Sequence, residues 1–180
     1  MDRVELFETH AREIALLADI FDKKTAVLAN NPLEFLVEVA DYVLREMDNY
    51  IVTEESTEED TLKYLNDTSK LAQLGMLGHK YTLGGKVDCE SLAKQMADTY
   101  RKKNADYGDS FSVSLDRYGA LAAHVRMSDK INRLQSLVVR KQTAQVKDES
   151  IADTFLDLAC YAVMRLVYIE MKSFEQEKEN

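Results

Sequence analysis

Apolar residues recur along this chain at steps of three and four and almost nowhere at steps of two. Leu6, Ile14, Leu17, Ile20, Phe21, Val27 and Leu28 set that rhythm over residues 4–29. Leu33, Leu36, Val37, Ala40, Val43, Leu44 and Met47 repeat it over residues 32–52. A helix with one buried face shows this period, whereas a half-buried strand alternates. The pattern therefore predicts an all-α bundle of about five to six helices. Asn31 reads as the N-cap of the second helix, with Pro32 at its first position and Glu34 at the capping-box position. Ser56 and Glu59 suggest another capping box, for a helix reaching about Met76 that Gly75 and Gly78 are expected to end. Residues 81–87 read as a short hairpin turning at Gly84-Gly85. Asp88 then caps a helix over about 89–103, residues 104–114 form a loop around Gly108, and one long helix spans about 115–141. The last helix, about 148–175, is apolar on nearly every side between Ile151 and Val167, the mark of a buried helix.

Composition adds class and compartment. With 180 residues, 46% apolar and 31% charged, the chain is long enough for a sizeable core and has the make-up of a globular protein. Two divisions are expected: residues 1–87, a helical region of unknown role, and residues 88–180, a helical domain bearing the site and packed into the same bundle. The net charge of −9 argues against a polynucleotide partner. Yet residues 101–147 hold ten basic and four acidic side chains, a basic island suited to a small anionic ligand. Cys89 and Cys160 lack metal-type spacing, and no signal peptide or spanning segment is evident. A cytoplasmic protein with no membrane partner is the expectation.

Three dense polar clusters carry the chemistry: residues 103–111 (KNADYGDSF), 126–134 (RMSDKINRL) and 148–161 (DESIADTFLDLACY). In the third, Glu149, Asp153 and Asp157 fall at i, i+4 and i+8, one ridge on a helix predicted to be buried. Carboxylates in such a place need cations. Arg126, Lys130 and Arg133 would supply them as plain ion pairs. A divalent metal such as Mg²⁺, which binds carboxylates and bridges to phosphates, is the alternative. Asp129, flanked by the same three cations, is either a surface salt-bridge hub or the carboxylate facing Asp153 and Asp157. Lys103 suits a phosphate, Tyr107 a nucleobase, and Asp106 or Asp109 a metal shell, although Asp and Gly here also make a turn. Glu38-x-x-Asp41, with Glu34, gives a further acidic set, either a pair of carboxylates on one face that chelates a metal or, the favoured reading, a solvated helix face. His124 reads as an incidental helix residue. No Walker loop, dinucleotide-binding glycine pattern or nucleophile triad is present.

These clusters resemble the nucleotide modification associated domain, found largely in phage and bacterial proteins, with the patterns K-x-x-D-Y-G-D-S-F, V-R-x-S-D-K-x-x-R-L and D-E-S-I-x-D-T-x-x-D-L-A-x-Y. Here they run from Lys103 to Phe111, Val125 to Leu134 and Asp148 to Tyr161. That domain in turn looks like the all-α nucleoside triphosphate pyrophosphohydrolases of the MazG and dimeric dUTPase type. The resemblance implies a MazG-like fold and a Mg²⁺-dependent release of pyrophosphate from a (deoxy)nucleoside triphosphate. Asp129, Glu149, Asp153 and Asp157 are then the metal-binding and catalytic set. Lys103, Asp106, Tyr107, Arg126, Lys130 and Arg133 are the substrate-binding set, in a homo-oligomer. Arg126 and Asp129 stand where the pyrophosphohydrolases carry E-x-x-E. That departure opens two alternatives: a non-catalytic nucleotide-binding or sequestering protein, and a helical adaptor whose charges pair internally.

Overall fold

The computed structural model describes residues 2–25, 31–50, 56–143 and 149–179, without the side chains of Thr25, Tyr107 and Glu179. The expected ends of the first two helices and the start of the last lie outside the described residues. Those residues form seven α-helices and no strand: α1 (Arg3–Thr25), α2 (Pro32–Met47), α3 (Glu58–Thr82), α4 (Cys89–Tyr107), α5 (Ser110–Tyr118), α6 (Leu121–Leu134) and α7 (Ile151–Glu179). A π-helical turn, Gln135–Val139, extends α6.

The caps explain most boundaries. Asn31 accepts from the Glu34 amide, with Pro32 at the first turn of α2. The box at α3 sits one residue later than the sequence suggests. Thr57 and Asp60 exchange side-chain and backbone bonds, both at 3.1 Å, in place of Ser56 and Glu59. Ser150 and Asp153 make the same reciprocal pair at α7.

The heart of the bundle is α3 packed along α7. Here the reading of Gly75 and Gly78 as helix terminators is corrected: both lie inside α3, which runs on to Thr82. A Cβ on Gly75 would sit 2.7 Å from the Ala159 nitrogen and the Phe155 oxygen, and one on Gly78 would enter the Phe155 ring. The two glycines are a groove that lets α7 approach the backbone of α3. The hairpin is likewise replaced, because α3 occupies its first two residues and a turn at residues 83–85 leads to the Asp88 cap of α4.

Two further expectations change around the clusters. The loop at 104–114 is mostly helical: α4 ends at Tyr107, Gly108 takes φ +59°, and Asp109 caps α5 through the Ser112 amide. The long helix from 115 is broken at Gly119 (φ +69°), where α5 gives way to α6. Each break needs a positive φ that a β-carbon disfavours, and a glycine supplies it. Helix α1 departs in another way. It buries Leu6, Phe7, Ala11, Ile14, Ala15 and Ala18, while Leu17 and Ile20 are 43% and 42% exposed.

One hydrophobic core takes residues from α1 through α7. Arg165 is buried in it, its guanidinium over the rings of Tyr64 and Tyr168 and its Nε donating to the Tyr64 hydroxyl at 3.3 Å. Stacking on two aromatic faces is a setting that a planar, weakly hydrated cation tolerates.

Candidate functional site

Helices α4, α5, α6 and α7 close around a cavity of ≈950 Å³, with Phe7 of α1 also on its wall. All three polar clusters reach it. Lys103, Asn104, Gly108 and Asp109 come from the first, Arg126 from the second, and Asp153 and Asp157 from the third. The two helix breaks are what turn these segments toward one another.

The cations divide into two groups. Lys103 and Arg126 are exposed on the cavity and form no ion pair among the described residues. Lys130 and Arg133 do not border it. Lys130 instead bridges Glu149 at 2.9 Å and Asp157 at 2.8 Å. Arg133 donates to the Glu149 carbonyl at 2.6 Å and to the Thr154 hydroxyl at 3.1 Å. Partial burial pulls the Lys130 ammonium down, and its hydrogen bonds to Asp157 and Glu149 outweigh this and raise it. The Lys130 hydrogen bond holds Glu149 below its ordinary value, aided by the charges of Lys130 and Arg133.

The carboxylates are arranged differently from the predicted buried ridge. Glu149 precedes α7, and Asp153 is exposed. Helix α7 buries its apolar circumference against α3 and α6 but turns these acids outward. The Ser150 hydroxyl and then its amide hold Asp153 below its ordinary value. Asp109 caps α5 and pairs with Arg3 at the start of α1. Asp129 is exposed and makes no ion pair with Arg126, Lys130 or Arg133, so the surface hub does not form. Asp106 is exposed and does not border the cavity, and the side chain of Tyr107 lies outside the described residues. Among the described residues no three His, Cys, Asp or Glu side chains gather into a metal-holding group. Glu34 and Asp41 pair with Lys141 and Arg45 on the surface of α2.

Sequence inspection missed the other half of the site. Phe7, Met96, Tyr100, Phe111, Tyr161 and Met164 line the cavity as an apolar wall. Phe7 and Tyr100 are stacked, with ring centroids 4.2 Å apart and planes 9° apart. Phe111 and Tyr161 form a tilted pair at 5.9 Å. In sequence these are ordinary apolar positions, and nothing distinguishes a residue facing a cavity from one facing a neighbour. Cys160 also borders the cavity, and burial pushes its thiol up to about 12. His124 has a defined place too: it is buried on α6, with Nε2 2.7 Å from Asp48 at the end of α2.

No curated protein and no solved structure shows detectable similarity to the chain. Among the described residues no helix is long and apolar enough to cross a membrane. Residues 103–169, which contain all three clusters, match the family described as Nucleotide modification associated domain 1.

Proposed function

We propose that the cavity binds a nucleoside triphosphate and that the protein releases pyrophosphate from it with the help of Mg²⁺. The observation carrying this reading is the meeting of two cations without an ion pair among the described residues, Lys103 and Arg126, with two carboxylates, Asp153 and Asp157, at one apolar cavity. Unpaired cations suit phosphate oxygens, and aromatic walls suit a base. The family match over residues 103–169 supports a nucleotide-related role, and the likeness to MazG-type enzymes suggests the reaction.

The donor set fits a magnesium ion of the kind that uses one or two carboxylates and fills its shell with water and phosphate. Asp153 and Asp157 stand one turn apart on α7 and would hold it, with Asp129 and Glu149 outside that pair. When bound, the metal would polarise phosphate oxygens and ease deprotonation of a water. Lys103 and Arg126 orient the phosphates, and Lys130 fixes the position of Asp157 from behind.

Sequestration without turnover is the second reading. It is favoured by the Lys130 bond to Asp157, which leaves that carboxylate partly satisfied, and by Arg126 at a position where the enzymes carry an acid. The decisive assay is pyrophosphate release from the eight common nucleoside triphosphates, with and without Mg²⁺. Metal-dependent release establishes the hydrolase and names its substrate. Nucleotide-induced thermal stabilisation without release establishes the binding protein, and the absence of both returns the clusters to a structural role. A cytoplasmic homo-oligomer completes the proposal, and the solution mass from sedimentation equilibrium tests its assembly.

A further inference from the structure

We infer that the wall of the cavity built by α4 and Phe7 selects which nucleoside is accepted, with Asn104 reading the base. This rests on the nucleotide reading above. Helix α4 lays Met96, Tyr100 and Asn104 along the cavity at i, i+4 and i+8, with Lys103 beside the last of them. Exposure rises along that row: Met96 is fully buried, Tyr100 nearly so, Asn104 half-buried and Lys103 exposed. From Tyr100 to Asn104 the helix rises about 6 Å, which sets the half-buried Asn104 at the border between an apolar recess and a charged mouth.

Charge decides the orientation of the ligand. A triphosphate stays with Lys103 and Arg126 at the solvent-facing mouth, because burying its charge away from them is prohibitive. The uncharged base is left for the recess formed by Met96 and the stacked pair of Phe7 and Tyr100. That recess is held in register by the Arg3 ion pair to Asp109, which ties the start of α1 to the start of α5. The Asn104 side chain makes no hydrogen bond among the described residues, yet its amide offers both donors and an acceptor. A half-buried amide facing a cavity favours a ligand edge that satisfies it and penalises one that does not. Selectivity thus comes from residues around 7, 96, 100 and 104, whereas phosphate binding comes from Lys103 and Arg126.

The test compares wild type, Asn104→Leu and Arg126→Ala for binding of the eight common nucleoside triphosphates and of inorganic tripolyphosphate, a probe without a base. Calorimetry gives the affinities, and circular dichroism checks the fold. In Asn104→Leu the affinity for the preferred nucleotide is expected to fall about tenfold or more and the ranking of bases to flatten, with tripolyphosphate binding unchanged. Arg126→Ala is expected to weaken every ligand, tripolyphosphate included, and to keep the ranking. A wild-type ranking that Asn104→Leu leaves intact overturns the inference while the nucleotide site stands. So does a wild type that binds all bases and tripolyphosphate alike. A wild type that binds no nucleotide overturns the nucleotide reading and this inference together.

Discussion

Lys130 shows how one side chain sets the character of the cluster behind the cavity. It spans from Glu149, before α7 begins, to Asp157, two turns into it, and so fastens the entry of that helix to α6. Removing it leaves two carboxylates without their shared cation. Lys130→Met is expected to cost about 1–2 kcal/mol in urea denaturation, since both acids keep some contact with water. The pH dependence follows in sign. Glu149 lies below its ordinary 4.5 in the folded protein, so its contribution is complete above that value and is lost as pH falls through its lower folded value. Denaturation midpoints followed from neutral pH into acid are expected to fall less steeply in Glu149→Gln than in the wild type. Equal slopes would show that the Lys130 bridge is not linked to folding. The cations on the cavity behave differently. Lys103→Ala and Arg126→Ala are each expected to weaken nucleotide binding about tenfold or more while leaving the melting temperature of the ligand-free protein in place.

At the scale of elements, the contact of α3 with α7 matters most. A glycine within a helix ordinarily costs about 1 kcal/mol relative to alanine, so Gly→Ala should stabilise if nothing else changed. At Gly75 the added methyl meets backbone atoms that have no rotamer to escape into. Gly75→Ala is therefore expected to destabilise by about 1–3 kcal/mol, as overpacking does. Chemical denaturation measures it, and a gain in stability would show that α7 can slide away from α3 at no cost. The same contact explains why α7 reads as buried yet presents acids to solvent. Its apolar sides are covered by α3 and α6, and the strip carrying Asp153 and Asp157 opens on the cavity.

For the molecule as a whole, binding is linked to stability. A ligand held only by the folded state at a hundred times its dissociation constant adds about 2.7 kcal/mol. A saturating nucleoside triphosphate with Mg²⁺ is thus expected to raise the melting temperature by several degrees. In the double variant Asp153→Asn, Asp157→Asn the increment due to Mg²⁺ is expected to vanish while that due to nucleotide alone remains. An increment unchanged by the double substitution would place the metal elsewhere.

The local code in the sequence is enough for the class of fold and for the polar segments that meet at the cavity. Helical periodicity, the Asn31 and Asp88 caps and the three clusters are properties of neighbours in the chain, and neighbours are what a sequence displays. Gly75 and Gly78 were misread for the same reason: a glycine late in a helix resembles a stop, and only the backbone of α7 lying against it shows a groove. Tertiary structure alone decided the partners of each charge. Lys130 and Arg126 belong to the same cluster, four residues apart, yet one is consumed by Glu149 and Asp157 and the other borders the cavity with no ion pair among the described residues. It also decided that Phe7, nearly a hundred residues from the first cluster, completes the recess beside Tyr100. Periodicity tells which side chains leave water, whereas the packing of helices distant in sequence tells whether they meet a neighbour or enclose a space.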